Sequence, residues 1–419
     1  MSTNNVEELV RSAGQLANAG RWQDAERVWL EVRRLEPNHP KALFSLGVHA
    51  LQRGDLNAAD ELLRAARAVA PADPVILMTL VNVQRQRGDR DAEREAIDAV
   101  LSLDAYFLPG MLARASWLER FGTRAHAAAM YRNALKVAPP ESHWPAMLGE
   151  QLLHAREVVT TYSAALEAHL KSRLARVQFA LDPSVAPRWE EATAIVAGRT
   201  KPFVSESNQL PIPRLPAIPF YDRSQFPWLH ILESKSDEIR AELLAALQSQ
   251  RDQFSPYIAY RPGDPVNQWR ELNHSMKWSA FHLWRGGVPV QENLQRCPVT
   301  AQALASIPTA DMAGLCPNAM FSALQPKTHI PPHHGETNAR LVAHLPLIVP
   351  PRCWLRVGYE RREWQMGEVL VFDDTIEHEA LNDSDELRVV LIFDVWNPLL
   401  TSAEREMARA MTAAVREFN

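Results

Sequence analysis

The sequence predicts a multidomain α + β protein, an all-helical repeat solenoid followed by an antiparallel β-sandwich or barrel. Three observations predict it. Gly20, Gly54, Gly88 and Gly122 recur at a strict spacing of 34 residues. The last third carries β-branched runs separated by turn clusters such as Asn382-Asp383-Ser384-Asp385, with no helical stretch between them. A proline-dense segment with Pro202, Pro211, Pro213, Pro216, Pro219 and Pro227 separates the two textures.

Taken in order, the first element is the repeat array. Pro37, Pro71 and Pro139 fall 17 residues after their glycines, with Ala105 in the third slot. Small residues stand five after the glycine at Ala25, Ala59 and Ala127, with Glu93 as the exception. Between glycine and proline, apolar residues step by three and four, as in WQDAERVWLEVRRLE, so each repeat reads as two helices. Glycine turns the chain between them, the small residue lets them approach, and proline ends the second. The 34-residue period resembles that of the tetratricopeptide repeat. Such an array implies a surface for a peptide or protein; packing against the rest of the chain is the alternative.

The helical pattern continues through EQLLHAREVVTTYSAALEAHLKSRLARVQFAL, one long helix stopped before Asp182-Pro183. Trp189 to Ala197 and SKSDEIRAELLAALQSQ read as further helices. Strands are expected at Arg340–Val349, Trp354–Tyr359, Glu368–Asp373 and Arg388–Trp396. The expected divisions are a repeat array over 1–140, a helical and Pro-rich bridge over 141–205, a β domain over 206–402 and a C-terminal helix over 403–419.

Composition removes several function classes. The chain has 419 residues, 46% hydrophobic and 23% charged, which suits two or three folded domains and not disorder. A net charge of −5 offers no field for nucleic acid. Cys297, Cys316 and Cys353 are odd in number and lack C-x-x-C spacing, so neither a disulfide framework nor a zinc–thiolate site is expected. The polar start lacks the regions of a signal peptide, and no apolar run approaches the roughly 20 residues of a membrane span. A cytoplasmic protein is expected. No G-x-S-x-G, H-E-x-x-H or P-loop is present.

Histidine carries the chemistry. Seven of 14 fall between His274 and His378. His333, placed before the first expected strand, and His378, placed after the third, can converge on one metal at the strand mouths of a small barrel. Arg388 opens the last strand, where an inward guanidinium needs an anion. Two histidines and an inward arginine suit a ferrous oxygenase whose 2-oxoglutarate chelates the metal and offers its far carboxylate to a fork-shaped cation. The usual carboxylate two residues after the first histidine is missing, since that slot is Gly335. On spacing alone a second reading stays open: His329 and His334 as surface residues, His344 as a hydrogen-bonded interior histidine, and Arg388 paired with Asp373 or Glu377 on a wet rim.

The segments KWSAFHLWRGG, QRCPVT, FSALQPKTHIPPHHGETNARLVAHLPLIVP and GEVLVFDDTIEHEALNDSDELRVVLIFDVWNP resemble, in order, the aspartyl/asparaginyl β-hydroxylase family over roughly residues 210–400. Animal members also carry tetratricopeptide repeats before the oxygenase domain. The resemblance implies a double-stranded β-helix (jelly-roll, cupin-like) fold and an Fe(II)- and 2-oxoglutarate-dependent dioxygenase using O2. The family holds its iron with two histidines and no carboxylate, which accounts for Gly335. By motif, His333 and His378 would be the iron ligands, and Arg388 would bind the 5-carboxylate of 2-oxoglutarate. Ser322 and His344 would contact the co-substrate, Trp278 would line its pocket, and Asp374 would hold metal-bound water. One position departs. The animal enzymes place a second co-substrate arginine where this chain has Val342, and Arg340, on the same strand face, is displaced by about 6–7 Å.

The implied reaction hydroxylates an unactivated C–H bond, with the β-carbon of an Asp or Asn residue in a peptide or protein as the first expectation. The repeat array would help grip that substrate. A small-molecule or acyl substrate is the alternative, as is a non-catalytic repeat scaffold with a 2-oxoglutarate-sensing barrel.

Overall fold

A computed structural model describes residues 3–183, 185–249 and 251–418. The chain forms two compact units, Met1–Leu181 with Val196–Arg199, and Asp182–Ile195 with Thr200–Asn419. Among the described residues no helix is long and apolar enough to cross a membrane.

The first unit is a stack of helix pairs: α1 (Thr3–Asn18) with α2 (Trp22–Leu35), α3 (Pro40–Gln52) with α4 (Leu56–Val69), α5 (Pro74–Arg87) with α6 (Arg90–Leu103), and α7 (Leu108–Phe121) with α8 (Arg124–Val137). A 30-residue helix, α9 (Gly149–Gln178), packs on α8. Gly20, Gly54 and Gly88 turn the chain at φ of 74°, 79° and 71°, in the left-handed region that favours glycine. Gly122 does not: its φ is −103°, and it is glycine because a Cβ would lie 2.8 Å from the Leu118 carbonyl oxygen. Helix starts are capped by Asp55, Asp73, Asp89 and Thr123, whose side chains accept first-turn N–H groups. Ala25, Ala59 and Ala127 are buried where helices meet. Glu93, the exception in that slot, is buried too, and is held by Arg85 at 3.0 Å and Arg120 at 2.5 Å.

The second unit is built on β1 (Ser255–Pro256), β2 (Trp278–Arg285), β3 (Val288–Pro289), β4 (Ala319–Leu324), β5 (Thr328–His333), β6 (Arg340–Ile348), β7 (Cys353–Val357), β8 (Glu360–Glu363), β9 (Leu370–Phe372), β10 (His378–Asn382) and β11 (Arg388–Trp396). One sheet has the order β1-β2-β4-β11-β6-β9, with β3 beside β2, and the other the order β5-β10-β7-β8, all antiparallel. From β4 to β11 the chain passes back and forth between the two sheets, so strands distant in sequence become neighbours. The inner faces enclose one apolar cluster that includes Trp278, Leu324, Ile330, Val342, Leu355, Phe372 and Val390. Fully burying side chains of this size contributes about 1.5–3 kcal/mol each. The outer face of the larger sheet is covered by the helix Ser236–Ser249, through Ile239, Leu243 and Ala246.

Two features differ from the sequence reading. The proline-dense segment, read as a crossing, lies along the β domain: Ser205 bridges Ile376, Leu210 bridges Thr337 and Phe220 bridges Phe372. His333 and His378 are not outside strands. They end β5 and begin β10, two elements that the sequence reading left unassigned.

Candidate active site

His333 and His378 are directly opposed across the β5–β10 pair, with ring centroids 4.0 Å apart. The register slips between His378 and Ala380, where β5 contributes one extra residue. Pro331 and Pro332 lie within this slip. Neither can donate to a ladder, and β5 is an edge strand where prolines are tolerated.

Both rings have a fixed tautomer. Nδ1 of His333 donates to the Pro331 carbonyl at 2.8 Å, and Nδ1 of His378 to the Ile376 carbonyl at 3.1 Å. A carbonyl only accepts, so the proton sits on Nδ1 and the Nε2 lone pair is left over. Burial, with the neighbouring His378 adding to it, pushes His333 down to about 3. Burial pushes His378 down to about 4. Both are therefore neutral at physiological pH, as metal ligands must be. Among the described residues no group of three or more His, Cys, Asp or Glu side chains is placed to hold a metal, so this pair has no carboxylate third member.

The place for that third member is filled. A Cβ on Gly335 would lie 2.0–2.5 Å from the Asp374 carboxyl atoms. Asp374 itself pairs with Arg340 Nη1 at 2.7 Å, and Arg340 Nε lies 3.2 Å from Asp394. These are close ion pairs without hydrogen-bond alignment, because Arg340 Nε and Nη1 lack aligned acceptors. Asp374 Oδ1 has no partner.

The histidines line a cavity of about 690 Å³ that also takes in Trp278, Ser322, Arg340, Val342, His344, Asp374 and Arg388. Every site residue expected from the sequence is thus brought to one place. Arg388 is 2% exposed, yet its Nε has no partner and its Nη1 reaches only the Ser322 carbonyl, at 3.4 Å. Asp373 and Glu377 do not pair with it: Asp373 accepts from Thr375, and Glu377 is held by Arg356 and Lys201. Burial pulls the Arg388 guanidinium down to about 10, still charged at neutral pH. A buried cation without an anion costs several kcal/mol and is a ready carboxylate site.

Aromatic rings complete the walls or back the residues that form them, and most of them carry no motif. Tyr257 stacks on Trp278 at 4.0 Å, and Trp269 stands edge-on to His333 at 5.0 Å. Trp364, in the loop after β8, lies 4.9 Å from the Arg388 guanidinium and donates to His344 Nδ1 at 3.3 Å. Burial, then the charge of Arg388, holds His344 well below the ordinary histidine range. Trp364, Trp269 and Tyr257 were not legible as site residues; the nearest signal is the tryptophan placed just before Gln365-Met366-Gly367.

Fold and site define an antiparallel two-sheet domain around a cavity holding a neutral histidine pair and a buried arginine that has no anionic partner among the described residues. The chain belongs to the aspartyl/asparaginyl β-hydroxylase family. Residues 233–398 match the family profile described as Aspartyl/Asparaginyl beta-hydroxylase. An ornithine lipid ester-linked acyl 2-hydroxylase of Rhizobium tropici is 36% identical over 236 residues, covering 52% of this chain and 79% of that one. Human aspartyl/asparaginyl beta-hydroxylase is 33% identical over 183 residues, 43% of this chain and 22% of its own length. Human aspartate beta-hydroxylase domain-containing protein 2 is 32% identical over 212 residues, 49% of this chain and 55% of that one. Two of these three relatives are thus spanned over little more than half their length or less. The relatives' names include two hydroxylases, one acting on aspartyl or asparaginyl residues and one on a lipid acyl chain.

Proposed function

We propose that this protein is an Fe(II)- and 2-oxoglutarate-dependent dioxygenase that hydroxylates an unactivated C–H bond on a carbon next to a carboxyl-type group. The observation that carries the reading is Arg388: a buried guanidinium without a protein anion, in the same cavity as two neutral, oriented imidazoles.

The residues fit both groups. His333 and His378 would hold iron through Nε2, the nitrogens their Nδ1–H bonds leave available. Arg388, Ser322 and His344 would hold the carboxylates of the co-substrate. Iron with 2-oxoglutarate and O2 supplies an oxidant for the C–H bond and releases succinate and CO2. Asp374 Oδ1, without a hydrogen-bond partner among the described residues, would accept a hydrogen bond from water in the cavity while Oδ2 stays on Arg340. Trp278, Trp269 and Phe372 keep bulk water from the histidine pair.

The substrate read first from the sequence, the β-carbon of an Asp or Asn residue in a peptide or protein, lies next to a carboxyl or amide group. The helical repeats would grip such a chain. A second reading, C2 of an ester-linked acyl chain, has the same chemistry at the reacting carbon. The similarity to an ornithine lipid ester-linked acyl 2-hydroxylase, 36% identical over 79% of that chain, supports it. A reducing cytoplasm suits a ferrous centre and three free, buried thiols.

Purified protein with Fe(II), O2 and 2-oxoglutarate should form succinate, and His378→Ala should abolish it. A wild type whose anaerobic iron spectrum does not change on adding 2-oxoglutarate would refute the assignment. Mass spectrometry of treated peptide and lipid extracts for a gain of one oxygen separates the two substrates.

A further inference from the structure

Two indole N–H groups decide where the protons stand around Arg388. Trp278 Nε1–H donates to Ser322 Oγ at 3.1 Å, and Trp364 Nε1–H donates to His344 Nδ1 at 3.3 Å. An indole nitrogen donates and never accepts. Ser322 Oγ therefore spends a lone pair on Trp278 and keeps its own O–H free to donate. His344, neutral and accepting at Nδ1, carries its proton on Nε2, and among the described residues that nitrogen makes no bond within the protein. Arg388 has only donors. Ser322, His344 and Arg388 all line the cavity.

We infer that Trp364 is a positioning residue: its N–H makes His344 a hydrogen-bond donor, so that this end of the cavity is rich in donors and favours a dicarboxylate over the corresponding monoamide. An amide N–H placed there would meet donors on His344 and Arg388, with only the remaining lone pair of Ser322 Oγ to accept it, and a desolvated donor that lacks a good partner is disfavoured. The Trp364 ring also covers the Arg388 guanidinium at 4.9 Å, an attraction that keeps the fork in place. The inference rests on the reading above that 2-oxoglutarate occupies this end, and it adds the element that sets the pocket's polarity. Trp364 comes from a loop between β8 and β9, whereas the donors it governs, His344 and Arg388, stand on β6 and β11. Removing its N–H leaves His344 Nδ1 buried without a partner and both tautomers open.

The test has two arms on the full-length protein. Nitrogen-15 NMR of the imidazoles reads the tautomer with no ligand present: His344 protonated on Nε2 is expected, and protonation on Nδ1 overturns the inference. Calorimetry under anaerobic conditions with Mn(II) then compares 2-oxoglutarate binding in Trp364→Phe and wild type. The variant keeps an aromatic ring but loses the N–H. Weakening by roughly tenfold is expected, the scale of one hydrogen bond to a charged group, with kcat at saturation little changed. In a His344→Phe background the same substitution should cost less than about twofold, since the two act as one unit. Where phenylalanine disturbs folding, benzothienylalanine at position 364 keeps the indole shape without the N–H. Wild-type affinity in Trp364→Phe, or an equal loss in both backgrounds, overturns the inference alone. Absence of any 2-oxoglutarate binding by the wild type refutes the reading of the site, while the NMR result still judges the tautomer.

Discussion

Gly335→Ala is expected to destabilise the β domain through a single contact. A Cβ at this position lies 2.0 Å from Asp374 Oδ2, 2.1 Å from Cγ and 2.5 Å from Oδ1. Ordinary contact would require the carboxylate to retreat by roughly 1–1.5 Å. Gly335 does not have a left-handed φ, so alanine adds no backbone strain and the cost is steric. The carboxylate is the end of a short side chain, but it is buried and held 2.7 Å from Arg340. Removing one partner of a buried pair costs about 3–5 kcal/mol. Arg340 would keep Asp394 and Glu336, so a loss of roughly 2–4 kcal/mol is the expectation. Urea unfolding followed by tryptophan fluorescence measures it, alone and combined with Asp374→Ala. The second substitution clears the space, so Gly335→Ala should cost at least about 1 kcal/mol less in its presence. A wild-type midpoint for the single variant, or equal costs with and without Asp374, would refute the steric account. Gly335→Asp, which writes the usual H-x-D carboxylate into the chain, should fail to provide a third ligand for the same reason.

Two further outcomes follow from the geometry. Burial, then the charge of Arg285, depresses His282 to about 4, so between about pH 4 and 6.5 the unfolded chain binds a proton that the folded chain refuses. Its contribution is intact above pH 6.5 and is lost as pH falls through this window; His282→Leu should flatten the rise of unfolding free energy with pH by about 1 kcal/mol per pH unit, and an unchanged slope in urea titrations at several pH values would contradict this. Deleting residues 1–181, the helical unit, should lower kcat/KM on a peptide substrate while uncoupled conversion of 2-oxoglutarate continues; undiminished product from the peptide would remove the repeats as a substrate grip.

The helical repeats were legible because their signal is local. Glycine, small residue and proline recur at fixed offsets within one helix pair, and the departure at Glu93 is compensated by arginines on α5 and α7. Strands β6 and β11 were legible for the same reason, as nine-residue runs of mostly apolar residues. The strands that bear the two histidines were not. β5 reads Thr-His-Ile-Pro-Pro-His, with two residues that cannot donate to a ladder, and β10 reads His-Glu-Ala-Leu-Asn, with no β-branched residue. Both are strands because of neighbours dozens of residues away, which no local pattern records. The site residues came through as motifs. The tryptophan that fixes His344 and the ion pair that fills the space over Gly335 could be seen only once the strands were closed.

The opposition of His333 and His378 across a strand pair has a consequence for how such a domain diversifies. Their separation is set by the spacing of adjacent strands, about 4.7–4.9 Å, and not by the 44 residues between them. Loops in that interval can lengthen, shorten or change composition without moving either ring. The histidine pair is thus insulated from the loops between its strands, so that those loops could be exchanged to admit acceptors as unlike as a peptide side chain and a fatty acyl ester over one unaltered pair.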